Sequence, residues 1–208
     1  MTSFNRTVLL NVGMGSDRPF HSLAEEHTTW AKIKGGLKKG DLLIFEGGVD
    51  ISPSLYGELP HPQTQYANKN RDALECHVFD LARSLEIPMV GICRGAQLFT
   101  ALLGGRLIQH VNGHLSDHKI VCNYPKDSDS PAQYFQVTSC HHQMMVPPKE
   151  HVLIGWSDGI SSPTAKFEPE IVYYPQAKAL AIQSHPEWMD EYDPFVVYCR
   201  TLVNTLLK

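Results

Sequence analysis

The stretch Pro88–Gly105, PMVGICRGAQLFTALLGG, decides how this chain is read. A short apolar run, Met89 to Ile92, leads into Cys93, glycines stand at 91 and 95, and a helical pattern follows at once. This is the pattern of a buried strand turning sharply into a helix, with the glycines permitting the tight backbone such a corner needs. A thiol at that corner lies at a helix N-terminus, where unpaired N–H groups and the positive end of the macrodipole favour the thiolate. Cys93 is therefore a candidate nucleophile. The alternative is a small buried cysteine that packs like any hydrophobe.

Upstream, Asp41–Phe45 (DLLIF) is a second continuous apolar run, ending in Glu46, Gly47 and Gly48, and Thr7–Val12 is a third, ending at Gly13. Unbroken rather than alternating apolar runs mark parallel strands covered on both faces. The polar stretch Met14–His21 reads as a loop. His27–Lys39 carries Trp30, Ile33 and Leu37 at helical spacing, a weak helix interrupted by Gly35 and Gly36. Arg71–Glu86 is a clearer one, with Leu74, Val78, Leu81 and Leu85 on one face, Asn70 as its cap and Asp72 in its first turn.

Downstream, Lys119–Cys122, Phe135–Thr138, Val152–Trp156, Ile171–Tyr174 and Ala179–Gln183 are short strand-like runs. Asp193 and Pro194 open a final helix. The expected architecture is a three-layer α/β/α fold, one domain over residues 1–208, with a mostly parallel central sheet and antiparallel additions in the C-terminal half. Ligands on such sheets bind beyond the carboxyl ends of the strands, where Gly47, Gly48 and Cys93 fall.

Composition narrows the function classes. Of the 208 residues, 42% are hydrophobic and 19% charged, a globular balance. Net charge is −4 with no basic block, which argues against nucleic-acid binding. Five cysteines without a CxxC pair argue against a disulfide framework or a zinc ribbon. With neither a signal-peptide pattern nor a membrane-length apolar run, a cytoplasmic location is expected.

A nucleophilic thiol needs a histidine base and a group to hold that ring. His185 follows the apolar strand run and lies in SHPEW, with Glu187 two residues on, placed to orient the imidazole. An exposed turn carrying HPE by accident is the plain alternative. His110, His114 and His118 are spaced by four, as on a metal-binding helix face, but Asn112 and Gly113 break such a helix, so no metal is expected. His141 and His142, with Gln143, either line the cleft or are satisfied surface histidines.

Taken together, FEGGVDISPSLYGE (Phe45–Glu58), NRDALE (Asn70–Glu75), Pro88–Val111, SCHHQ (Ser139–Gln143) and AIQSHPEW (Ala181–Trp188) resemble the class I glutamine amidotransferase family, specifically its gamma-glutamyl-gamma-aminobutyrate hydrolase (gamma-glutamyl hydrolase) branch. The resemblance implies a flavodoxin-like catalytic domain. Cys93, His185 and Glu187 would be nucleophile, general acid–base and orienting carboxylate, and the backbone N–H groups of Gly48 and Arg94 the oxyanion hole. Gln97, Ser139 and His141 would contact the glutamyl moiety. It also implies hydrolysis of glutamine or a small gamma-glutamyl amine through a gamma-glutamyl thioester, without a cofactor. The alternatives are a glutaminase subunit supplying ammonia to a separate synthetase partner, and a binding or chaperone-like protein that keeps the fold without turnover.

Overall fold

A computed structural model of the chain describes residues 4–10, 16–65, 68–124, 131–159 and 167–208. In chain order its elements are β1 (Phe4–Leu10), β2 (Ala24–Thr29), β3 (Asp41–Phe45), α1 (Lys69–Ser84), β4 (Met89–Ile92), α2 (Arg94–Leu102), β5 (Arg106–Ile108), β6 (His118–Cys122), β7 (Gln133–Val137), β8 (Met144–Val146), β9 (Val152–Ser157), β10 (Pro169–Tyr174), β11 (Ala179–Ile182) and α3 (Pro194–Leu206), with short 3-10 turns between them.

Nine strands form one sheet in the order β2-β1-β3-β4-β11-β10-β9-β6-β7, and β5 pairs with β8 apart from it. From β2 to β11 every pairing is parallel, and from β11 to β7 every pairing is antiparallel. The continuous apolar runs explain the layering, because alternate residues serve opposite faces. Leu42, Ile44, Val90, Ile92, Leu180 and Ile182 pack on the side of α3, with Phe195, Cys199 and Leu202. Leu43, Phe45, Met89, Ala179 and Ala181 pack on the other side, with Val78 and Phe79 of α1 and Leu98 and Phe99 of α2.

The expected fold is present, with local corrections. Residues 24–29 form β2 rather than leading into a helix, and beyond a 3-10 turn at Trp30–Lys32 the predicted helix is absent. Gly35 and Gly36 both take left-handed φ, 74° and 70°, which ends any helical path there. Trp30, Ile33 and Leu37 nevertheless pack against the α1/α2 side of the core. Helix α1 starts at Lys69, and its cap is Asn68, whose side chain accepts from the Asn70 and Arg71 N–H groups, not Asn70. Residues 11 and 12 of the predicted first strand, Gly13 after it and residues 14–15 of the following loop lie outside the described residues. Asp193 caps α3 by accepting from the Phe195 N–H at 2.8 Å, an arrangement that stabilises a helix by about 1 kcal/mol. No helix among the described residues is long and apolar enough to cross a membrane.

Candidate active site

Cys93 sits between β4 and α2 with φ 48° and ψ −101°, a conformation costly for a non-glycine residue. The flanking glycines make this corner possible. A Cβ at Gly91 would stand 2.6 Å from the Gly95 backbone, and one at Gly95 would stand 2.4 Å from the Phe45 carbonyl oxygen. The helix therefore starts hard against β3 and β4, and the sulfur is held at the carboxyl end of the sheet.

His185 lies three residues beyond the end of β11, and β11 pairs in parallel with β4, so the two strands deliver the thiol and the imidazole to the same sheet end. The imidazole neighbours Cys93: both lie within 3.5 Å of the point a Cβ on Gly47 would occupy, and both line one cavity. Its Nδ1 bonds Glu187 Oε1 at 2.7 Å, leaving Nε2 for the sulfur. Trp188 stacks on the same ring, with centroids 3.7 Å apart and planes within 2°. Burial alone would depress the imidazolium, but the hydrogen bonds and charges of Cys93 and Glu187 outweigh it and push the His185 pKa up to about 10. A Cβ at Gly47 would stand 2.9 Å from His185 Cε1, so glycine there lets the ring approach the backbone.

A cavity of about 170 Å³ opens beside these groups, lined by Gly47, Gly48, Val49, Gln65, Cys93, Cys140, His185 and Trp188. Arg71 fixes its β3 wall by donating from Nη2 to the carbonyls of Glu46 (3.1 Å) and Gly47 (2.9 Å). In a planar trans peptide the carbonyl and the next N–H point opposite ways, so pinning the Gly47 carbonyl aims the Gly48 N–H away from Arg71. The N–H groups of Gly48 and Arg94 have no backbone acceptor among the described residues.

The side chain of Arg94 turns away from the cavity. Fully buried, it pairs with Glu75 and Asp72 of α1, while Glu75 also accepts from Arg71 Nε at 2.8 Å and Asp72 from Ser52. Sequence reading missed this network, although Arg71 and Glu75 stand at the i,i+4 spacing of a helical ion pair.

Three residues expected to contact substrate are engaged with partners of their own. Gln97 is buried with its amide 3.4 Å from the Gln143 carbonyl and 3.4 Å from Gln183 Oε1. Ser139 Oγ donates to the His114 carbonyl at 2.8 Å. His141 turns into a buried group with His114, His118 and Glu170. None of the three lines the cavity, whereas Cys140, between two of them, does. Side-chain direction, which spacing alone does not fix, separates them.

Residues 26–187 match the family model described as Peptidase C26. The chain belongs to the peptidase C26 family, of the class I glutamine amidotransferase-like fold. A relative from Mycobacterium tuberculosis named "Putative glutamine amidotransferase Rv2859c" is 30% identical over 158 residues, 70% of this chain and 50% of the relative. The chain thus aligns with half the length of that protein. Among solved structures, a glutamine amidotransferase from Thermotoga maritima superposes with a TM-score of 0.62 at 17% identity, covering 100% of this chain and 90% of that one. PurLQS from Thermotoga maritima superposes with a TM-score of 0.59 at 15% identity, covering 88% of each chain. Likeness at such identities is likeness of fold.

Proposed function

We propose that the chain hydrolyses the side-chain amide of glutamine or of a small gamma-glutamyl amine, through a gamma-glutamyl thioester on Cys93. The observation that carries this reading is His185, held by Glu187 at 2.7 Å and set beside Cys93 at the wall of a cavity. The Cys93 thiolate attacks the amide carbon, and the oxygen becomes an oxyanion facing the Gly48 and Arg94 N–H groups. As the C–N bond breaks, the His185 imidazolium gives its proton to the departing amine. Water, deprotonated by the now neutral imidazole, then attacks the thioester, and glutamate leaves with the sulfur restored as thiolate. Glu187 keeps the ring in place and balances its charge in both halves.

The test is a screen of glutamine and gamma-glutamyl amines with detection of glutamate, comparing the parent with Cys93→Ala. Release by the parent from at least one amide, absent in the variant, is expected. Equal release by both, or none from any substrate, overturns the reading.

A second reading, a glutaminase that passes ammonia to a separate synthetase, draws on the glutamine amidotransferase name of the Mycobacterium tuberculosis relative. It predicts glutamine cleavage that is slow alone and rises when cell extract supplies the partner.

A further inference from the structure

Four buried side chains outside the cysteine site converge on one point. His118 Nε2, His114 Nδ1 and His141 Nε2 stand 3.1, 3.2 and 3.3 Å from the same atom, Glu170 Oε1, and the candidate donor atoms all lie within 4.8 Å of one another. The residues come from three places: His114 and His118 from the approach to and start of β6, His141 from the segment before β8, and Glu170 from β10.

The hydrogen bonds on the outer sides of the rings fix their chemistry. His118 Nδ1 bonds the Ser116 carbonyl at 3.1 Å, and His141 Nδ1 bonds the Gln143 carbonyl at 2.9 Å. His114 Nε2 bonds a Glu168 carboxylate oxygen at 3.2 Å, and the same oxygen accepts from Ser157 Oγ at 2.7 Å. Carbonyls and carboxylates only accept, so each outer nitrogen carries the N–H, and in a neutral ring the inner nitrogen carries a lone pair. His118 Nε2 is aligned to donate to Glu170 Oε1 at 3.1 Å, whereas the inner nitrogens of His114 and His141, as lone pairs, would face that oxygen with no proton between. Among the described residues, neither His114 Nδ1 nor His141 Nε2 makes an aligned hydrogen bond there, and Glu170 Oε2 has no donor.

Two inward nitrogens and a carboxylate crowded together in a dry interior without a shared proton repel unless something positive joins them. Protonating the rings supplies donors one at a time and places several imidazolium charges side by side. A single divalent ion satisfies all four atoms at once, and its charge balances Glu168 and Glu170. Metal-binding histidines characteristically present their second nitrogen to a carbonyl or carboxylate, as all three do here. Ligand atoms about 2.0–2.2 Å from a tetrahedral ion stand about 3.4 Å from one another, close to the observed nitrogen–oxygen separations.

We propose that His114, His118, His141 and Glu170 form a closed structural site for a divalent first-row transition metal, with zinc the best match to three imidazoles and one carboxylate. With all four residues buried, no position is left for substrate, and the ion serves to tie the segment bearing Cys140 to β6 and β10. The spacing of His110, His114 and His118 misdirects here because only two of those three take part; the other ligands are brought in by the sheet.

The test uses the full chain carrying Cys93→Ala, which removes the reactive thiolate as a competing ligand and makes the result independent of the proposed hydrolysis. Elemental analysis after purification or zinc reconstitution is expected to give about one ion per chain. Chelation should lower the thermal midpoint, and zinc should restore it. Cobalt(II) reconstitution should give the intense visible bands of four-coordinate cobalt. Adding Glu170→Gln or His118→Ala should abolish the cobalt spectrum, and Glu168→Gln should weaken affinity roughly 10–100-fold. A chain that holds no stoichiometric metal after incubation with zinc or cobalt, or metal binding unchanged by both ligand variants, overturns the proposal.

Discussion

Glu187 Oε1 accepts a 2.7 Å hydrogen bond from His185 Nδ1 although only one residue separates them. Pro186 opens a 3-10 turn there, so the side chain of Glu187 curls back onto the ring instead of projecting into solvent. The turn itself is anchored from afar, because the His185 N–H donates to the Thr138 carbonyl at 2.9 Å.

From this pair follows a ranking of variants. Glu187→Gln keeps the shape of the turn but removes the charge that supports the imidazolium, so turnover should fall by about 10⁴-fold, against about 10⁶-fold for Cys93→Ala. Glutamate release from the best amide measures both. A Glu187→Gln chain within twofold of the parent would sink the orienting role.

The elevated His185 pKa has a thermodynamic counterpart. With a value of about 10 in the fold and 6.5 as the ordinary value, the folded chain keeps a proton that the unfolded chain releases between those limits. Its stabilisation is complete below pH 6.5 and disappears as pH rises through about 10. Thermal midpoints recorded from pH 6.5 to 10 should therefore fall more steeply for the parent than for His185→Gln; matching slopes would contradict the assignment.

Thiol reactivity should divide the five cysteines. Cys93 and Cys140 line the cavity, whereas Cys122 and Cys199 are buried and burial pushes both thiols up. Burial, with Asp72 and its acidic neighbours, also raises Cys76. Brief iodoacetamide treatment of the native chain should label Cys93 first, because it stands beside His185 at a helix N-terminus, and Cys140 second. Peptide mapping that finds Cys76, Cys122 or Cys199 ahead of Cys93 would refute this order.

The ion-pair network behind the elbow should matter chiefly for stability. Glu75→Gln leaves the Arg94 guanidinium fully buried with part of its compensation gone, a change that typically costs about 3–5 kcal/mol. Urea denaturation reads the loss directly. A cost below about 1 kcal/mol would mean that Asp72 alone suffices to balance Arg94.

The features legible in the sequence are those whose cause is local. The corner at Cys93 is written in Gly91 and Gly95, and the final helix in Asp193 and Pro194. Strand β2 was hidden because AEEHTT is a largely exposed edge strand whose polar residues show no apolar run. The predicted stripe of α1 was rotated, leaving Leu74 and Leu85 exposed, because its buried face begins with Arg71, Asp72 and Glu75. Apolar periodicity cannot find charges buried against other charges. The metal-like cluster and the true directions of Gln97, Ser139 and His141 depend on which segments the sheet brings together, information no short motif contains.

The parallel stacking of Trp188 on His185 gives the molecule an optical reporter of its own. The indole is about half exposed at the lip of the cavity, and an imidazolium at van der Waals distance quenches indole emission more strongly than a neutral ring. Steady-state fluorescence should therefore brighten when the ring loses its proton, letting each protonation event be followed by eye-level spectroscopy with no added dye.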